Sequence, residues 1–298
     1  MREFPDLLTM NYSQTELIIN SRGNVYHLDL NEEWLAPTCI TVGDPERVSQ
    51  VSKHFDRIDM IRSHREFVSH IGWLGEQRVM VISTGIGSDN IDIVIHEIDA
   101  LLNIDLQTKR IKDQTSSIRF IRIGTSGAFH PDIPIDSWVI NPLAFGTDGL
   151  MRFYPDHAIR PELSWQAGLD PDFHGFLSGS YLGECDPVLL SIFGPGMLEG
   201  AAITTPGFFG AQGRSLRLGS MITDVMLRRL HTLSYNGVPF TNFEMETAGI
   251  YALARALGHQ AISVNAILAN RITGRFSTKP EKAIEALIIN VLEKVALL

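Results

Sequence analysis

The chain has 298 residues, 44% of them hydrophobic and 20% charged, the composition of an ordinary globular protein long enough to bury one sizeable α/β core or two smaller ones. Twenty-five Lys and Arg against 34 Asp and Glu leave a net charge of −9, with no basic run beyond Lys109-Arg110, which argues against a nucleic-acid surface. Only two cysteines occur, Cys39 and Cys185, in no CxxC or Cys/His spacing, so neither a disulfide framework nor a metal site is expected.

Met1 to Asn20 carries acids, Pro5 and no apolar stretch, and no apolar run reaches the length of a membrane span. A cytoplasmic protein without a signal peptide is expected.

In chain order, strands are predicted over 39–42, 79–83, 118–123, 138–141, 201–204 and 261–268, where short β-branched runs occur. Helices are predicted over 45–55, 90–103, 221–233, 245–257 and 280–297. The last places Ile284, Leu287, Ile288, Val291, Leu292 and Val295 on one stripe. Such alternation means α/β, with a central, largely buried sheet and helices on its faces. No repeat or linker is visible, and a single domain over 1–298 is expected. Residues 106–117 read as a polar surface insertion, and 146–183 as loops dense in Pro, Gly, His and Asp.

A protein this acidic must hold a small anion with locally placed arginines, and three segments offer them. In Val42-Gly43-Asp44-Pro45-Glu46-Arg47, Asp44 suits a helix N-cap and Pro45 the first helical position. Arg47 then opposes the helix dipole unless an anion sits at the helix start; pairing with Glu46 or Asp44 is the alternative. Ser63-His64-Arg65-Glu66-Phe67 supplies a second arginine. Ile121-Arg122-Ile123-Gly124-Thr125-Ser126-Gly127 runs a strand into small residues that let backbone N–H groups and hydroxyls approach a ligand. Arg122, between two isoleucines, needs a partner, either a structural carboxylate or a phosphate. Ser83-Thr84-Gly85-Ile86-Gly87-Ser88 is a weaker glycine turn, and neither a P-loop nor a GxGxxG fingerprint occurs.

Residues 208–214, Phe-Phe-Gly-Ala-Gln-Gly-Arg, put a carboxamide and a guanidinium two apart behind two aromatics. On an extended backbone Gln212 and Arg214 face the same side. Together they complement a flat edge reading acceptor, N–H, acceptor, which is that of uracil, with the aromatics over its face. A glycine turn whose polar groups face water is the alternative. Phe243-Glu244-Met245-Glu246-Thr247 precedes an apolar helical stripe. Either its acids serve the helix dipole, or one carboxylate chelates a ribose cis-diol with Met245 against the sugar.

In sequence order, His27-Leu28, Gly43-Asp44-Pro45-x-Arg47, His64-Arg65-Glu66-Phe67, Ser83-Thr84-Gly85-Ile86-Gly87, Arg122 to Gly127, the 208–214 segment, Glu244-Met245-Glu246 and Asn270-Arg271 resemble the uridine phosphorylases of the nucleoside phosphorylase superfamily. The likeness covers roughly 25–297, leaving 1–24 as an N-terminal extension. Wording around Gln212, His96-Glu97 and Leu268–Arg271 is similar to the uridine-specific branch of eukaryotic type. The resemblance implies a distorted, barrel-like mixed sheet surrounded by helices, assembled as a homodimer or a set of dimers. It implies phosphate binding by Gly43, Arg47, Arg122 and Thr125, with Arg65 from a partner subunit. Met245 and Glu246 would hold the ribose, helped by the partner's His27, and Phe208, Gln212, Arg214 and Arg271 the base. Arg122, Arg214 and Glu246 are the implied catalytic groups.

The implied reaction is reversible phosphorolysis of uridine to uracil and ribose 1-phosphate, with phosphate as co-substrate and no cofactor. Two departures stand out. Ala211 replaces a glycine, acceptable if its φ is negative. Glu66 and Ile86 match ligands of a potassium ion in some bacterial relatives, but Asn90 and Ser88-Asp89 differ, so no metal is expected. The rival readings are a purine nucleoside phosphorylase, a nucleosidase using water, and a non-catalytic nucleoside-binding protein. The first is opposed by Gln212, Arg214 and the missing acid, which purine-specific relatives carry where this chain has Asn270 or its neighbours.

Overall fold

An Asp-Pro pair starts a helix twice in this chain. Asp44 accepts the Glu46 N–H, Asp186 accepts those of Val188 and Leu189, and Pro45 and Pro187, with no N–H to satisfy, take the first helical turn. The computed structural model describes residues 11–155, 173, 176, 177 and 179–298. These form two compact units, the described residues of Met1–Gly85 with Ile93–Arg119 and those of Ile86–Asp92 with Phe120–Leu298.

The first unit is built on β1 (Thr38–Val42), β2 (Arg57–His64), β3 (Phe67–Leu74) and β4 (Gln77–Ser83), ordered β1-β4-β3-β2. β1 and β4 are parallel, in register from Thr38 opposite Val79 to Val42 opposite Ser83. Buried on both faces, β1 reads without polar alternation, as the β-branched and apolar run Thr-Cys-Ile-Thr-Val. β3 and β2 continue the sheet antiparallel. Helix α1 (Pro45–Ser52) packs Val48 and Val51 onto it and stops before residue 55, the predicted end. Helix α2 (Ser88–Asn103) begins in the sequence of the second unit and ends in that of the first. It leads to a small hairpin, β5 (Ile104–Asp105) and β6 (Arg110–Ile111), at the predicted insertion. The extension and the insertion, unexplained separately, are tied together: the Tyr12 N–H donates to Lys109 O at 3.0 Å and Lys109 Nζ to Leu17 O at 3.1 Å.

The second unit contains β7 (Arg119–Ala128), β8 (Trp138–Ile140), β9 (Leu143–Gly146), β10 (Tyr181–Glu184), β11 (Leu198–Glu199), β12 (Ala201–Thr204), β13 (Ser234–Tyr235), β14 (Val238–Glu244), β15 (Gln260–Asn270) and β16 (Arg275–Phe276). One path runs β10-β9-β12-β14-β7; β15 joins β7 to β8, and β8 carries β11. The sheet is mixed, β12 lying parallel to β9 and β14 while β14 opposes β7 and β15 opposes β8. Around it lie α3 (Pro187–Phe193), α4 (Asp224–Leu230), α5 (Thr247–Ala256) and α6 (Pro280–Val295). The protein is therefore α/β. α6 buries Leu287, Ile288, Val291, Leu292 and Val295, five of the six residues of the predicted stripe. An aromatic cluster including Phe129, Phe145, Phe240 and Phe243 fills the core beneath β12 and β14.

Several elements were not foreseen. β2 is an edge strand with alternating exposed and half-buried residues, and β14 hides its apolar run among Pro239, Thr241 and Asn242. Part of the predicted loop region 146–183 lies outside the described residues; the described part includes a 3-10 turn at Leu150–Phe153, helical residues at 173, 176 and 177, and strand β10. Helix α5 begins at Thr247, two residues later than expected, so Met245 and Glu246 stand in the turn between strand and helix. No helix among the described residues is long and apolar enough to cross a membrane.

Candidate active site

Strands β12 and β14 end side by side in the second unit, with Thr204 opposite Glu244. The two acids after Phe243 have different work. Glu244 accepts the Thr204 hydroxyl with one oxygen and the N–H groups of Glu246 (2.8 Å) and Thr247 (2.7 Å) with the other. It thus supplies the helix-start role that composition alone could not assign to one acid or the other. Glu246 instead turns to Arg122 Nη2 and to the Gly87 N–H at 2.8 Å.

Arg122 is buried on β7, and its partner is a carboxylate. Nη2 bonds Glu246 and lies 3.7 Å from Glu244, while Nη1 donates to Asn265 Oδ1 at 2.7 Å. Burial opposes its charge, but Glu246 and then Glu244 outweigh that, so the guanidinium stays protonated. Burial raises the Glu246 carboxyl above its ordinary value, with Arg122 pulling the other way. Gly124 makes room for this arrangement, since a Cβ there would collide with Arg122 Nη1 and with Asn265. Thr125, half-buried on the same strand, makes no side-chain hydrogen bond to the described residues.

The predicted base-recognition segment is not extended. Gly210–Gln212 is a 3-10 turn closed by Gly213 at φ +71°, a left-handed conformation suited to glycine. This reversal brings the two side chains together: Arg214 Nη1 donates to Gln212 Oε1 at 2.5 Å and to Phe208 O at 2.7 Å. Gln212 is buried and donates Nε2 to Thr205 Oγ1 at 3.0 Å. One lone pair of Oε1, one hydrogen of Nε2 and the other Arg214 donors remain for a ligand edge. The Arg214 guanidinium carbon stands 3.7 Å from the centre of the half-exposed Phe208 ring. Arg271 braces the loop from behind, donating to Gln212 O (2.7 Å) and Gly213 O (3.2 Å), with its own N–H on Ala128 O of β7. Burial, then the charge of Arg271, lowers Arg214 to about 10. A Cβ at Gly127 would lie 3.6 Å from Arg214 Nη2, so the guanidinium approaches the end of β7. Ala211 does not have positive φ, which meets the condition set by its replacement of glycine.

The remaining predicted residues belong to the first unit. Gly43 precedes α1, where a Cβ would stand 3.4 Å from Gly85 O, and Arg47 is half-buried in the first turn. Arg65 occupies the tip of the β2–β3 hairpin at φ +55°, exposed, its guanidinium over the Tyr26 ring at 5.3 Å. His27 is held firmly: Glu97 accepts its backbone N–H and that of Leu28, and contacts Nδ1 at 2.6 Å. That leaves Nε2 as the ring nitrogen not engaged by Glu97.

Sequence reading missed the supporting residues, Glu97, Thr205, Asn265 and the Gly87 N–H. His96-Glu97 enters the sequence argument only through its likeness to the uridine-specific branch. Asn265 sits in an apolar strand pattern, and a buried amide among Ser263, Val264 and Ala266 was the available signal.

A family model described as Phosphorylase superfamily matches residues 37–296. A uridine phosphorylase of Thermococcus kodakarensis is 30% identical over 267 residues, covering 87% of this chain and 82% of the relative. One from Haemophilus influenzae is 27% identical over 254 residues, covering 83% and 86%. The solved structure of a Trypanosoma brucei nucleoside phosphorylase, described as showing uridine phosphorylase activity, superposes with a TM-score of 0.83 at 26% identity, over 95% of this chain and 100% of that one. With its mixed-sheet α/β fold and a match spanning nearly its whole length, this chain belongs to the phosphorylase superfamily.

Proposed function

We propose that the protein catalyses the reversible phosphorolysis of uridine to uracil and ribose 1-phosphate. The observation that carries this reading is the Gln212–Arg214 pair, hydrogen-bonded to each other and braced by Arg271. It offers an acceptor flanked by donors, the complement of the uracil edge. The names of the relatives described above agree with it.

The glycosidic bond breaks with positive charge on the ribose and negative charge on the leaving base. Phosphate attacks C1′ from the face opposite uracil, so no enzyme nucleophile is needed and catalysis is positioning plus electrostatics. Arg214 and Gln212 meet the charge growing on uracil, which therefore leaves without a general acid. Arg122 and Thr125 are assigned to phosphate, supported by a buried guanidinium and, three residues on along the same strand, a half-buried hydroxyl with no side-chain hydrogen bond to the described residues. Gly43, Arg47 and Arg65 join them on the strength of their motifs. Glu246 takes the ribose hydroxyls with the lone pairs left over from Arg122 and Gly87, and Met245, half-buried in the same turn, packs on the sugar. Arg65 and His27 act across a homodimer interface, a reading supported by the exposed hairpin tip and by a partly exposed His27 ring whose Nε2 Glu97 does not engage. We place the enzyme in the cytoplasm, in nucleoside salvage.

Asn270 argues against a purine substrate. Its Nδ2 donates to His130 O and Ile133 O, and its Oδ1 accepts the N–H groups of Ile272 and Thr273, so it is spent on the backbone. The test is product formation from uridine, inosine and adenosine with and without phosphate. Uracil should form from uridine only when phosphate is present. Faster turnover of inosine, or phosphate-independent release of uracil, would overturn the proposal.

A further inference from the structure

Arg122 rests on an amide whose orientation is dictated from the backbone. Gly200 O can only accept, so Asn141 turns Nδ2 to it at 2.8 Å, which leaves Asn141 Oδ1 facing Asn265. Asn265 must then present Nδ2 to that oxygen at 2.8 Å and Oδ1 to Arg122 Nη1 at 2.7 Å. The same polarity is enforced from the other side. Ser126 Oγ donates to Phe243 O at 2.6 Å and so accepts from Asn242 Nδ2 at 2.8 Å. This turns Asn242 Oδ1 toward Asn141 Nδ2 at 2.9 Å. Reversing any one amide would set donor against donor or acceptor against acceptor. All three asparagines are 0% exposed, so a mispaired group would find no water to correct it.

We infer that Asn265 is a positioning residue for the anion chemistry of this enzyme, its carbonyl fixing one edge of the Arg122 guanidinium without adding charge. This rests on the phosphate role proposed for Arg122. An arginine pinned at Nη1 and Nη2 keeps its remaining N–H groups in a fixed direction, so an arriving anion need not freeze the side chain. Neutrality matters equally. Glu246 and Glu244 already face Nη2, and a third carboxylate would repel the anion that the arginine is there to hold.

The experiment titrates phosphate at saturating uridine, and uridine at saturating phosphate, in Asn265→Ala, Asn265→Asp and Arg122→Ala. Asn265→Ala should raise the KM for phosphate about 10-fold, the lower end for a hydrogen bond to a charged group, with the KM for uridine within about two-fold. Asn265→Asp, which keeps the shape and the acceptor, should raise it further through its charge. A residue that only supports the fold would change the active fraction and Tm but not the KM for phosphate. Should the alanine variant fail to fold, Asn265→Ser, a small side chain that keeps a hydroxyl donor in the buried network, carries the test. Unchanged KM for phosphate in the Asn265 variants, while Arg122→Ala loses phosphate dependence, would overturn the inference alone. An Arg122→Ala enzyme with wild-type KM for phosphate would overturn the underlying assignment instead.

Discussion

Removing Arg214 tests base recognition at the atom where charge collects. The guanidinium is lowered to about 10, so at pH 7 only about one molecule in a thousand has lost its proton, and it meets the leaving uracil as a cation. Arg214→Ala removes at least one charge-assisted hydrogen bond, worth about 1.5–3 kcal/mol, or roughly 10- to 150-fold in kcat/KM. It also frees Gln212 Oε1, which Arg214 engages at 2.5 Å, so the carboxamide loses one of the two contacts that hold its orientation. We expect about a 100-fold loss, visible in kcat as well as KM because the contact strengthens as the bond breaks. Arg214→Lys should recover only part, since an ammonium restores charge but not the fork or the contact with Phe208. Uracil release is followed by absorbance on variants whose Tm matches the parent. A folded Arg214→Ala enzyme with kcat and KM within two-fold of wild type would refute the reasoning.

Three further outcomes are expected. Mixing inactive Arg65→Ala and Arg122→Ala chains should restore up to about a quarter of wild-type sites after subunit exchange, because in a mixed two-fold dimer one site carries both lesions and the other neither; no recovery after verified exchange would mean that Arg65 does not act across an interface. Gly124→Ala should cost about 1–3 kcal/mol in urea unfolding and weaken phosphate binding, since the new methyl collides with Arg122 and Asn265. Burial of Asp29 works against its charge, but Arg22, Asn24, Asn20 and Arg62 outweigh it and hold the carboxyl down at about 2. A depressed folded pKa stabilises above the unfolded value and is lost as pH falls through the folded one. Asp29→Asn should therefore cost roughly 2 kcal/mol at pH 7, with the gap to wild type narrowing from about pH 4 towards pH 2.

What the sequence revealed depended on how local the cause was. β1 and β12 were legible because strands buried on both faces carry apolar and β-branched residues without polar alternation, and Asp44-Pro45 because its capping is complete within three residues. Asp186-Pro187 carries the same signature, yet no helix was expected between the predicted loop region ending at 183 and the strand at 201. β2 has no buried face to impose a pattern, so its hairpin and the left-handed turn at Arg65 stayed hidden. Gln212 and Arg214 do come together, but through a turn reversed by Gly213 where an extended backbone was expected. The partners of Arg122 were out of reach altogether. Glu246 and Asn265 lie 124 and 143 residues away in sequence, and only the folded sheet selects Glu246 over Glu244. The sequence required a partner for that arginine but could not choose between a carboxylate and a phosphate.

The most direct measurement is the identity of the sugar product. The enzyme, uridine and phosphate are combined, and phosphorus and proton NMR follow the ribose and the base together. Attack on C1′ opposite the departing base predicts one α-ribose 1-phosphate for each uracil, and no free ribose. Free ribose in step with uracil would make water the nucleophile, and the absence of uracil would show that the Gln212–Arg214 pair does not serve this reaction.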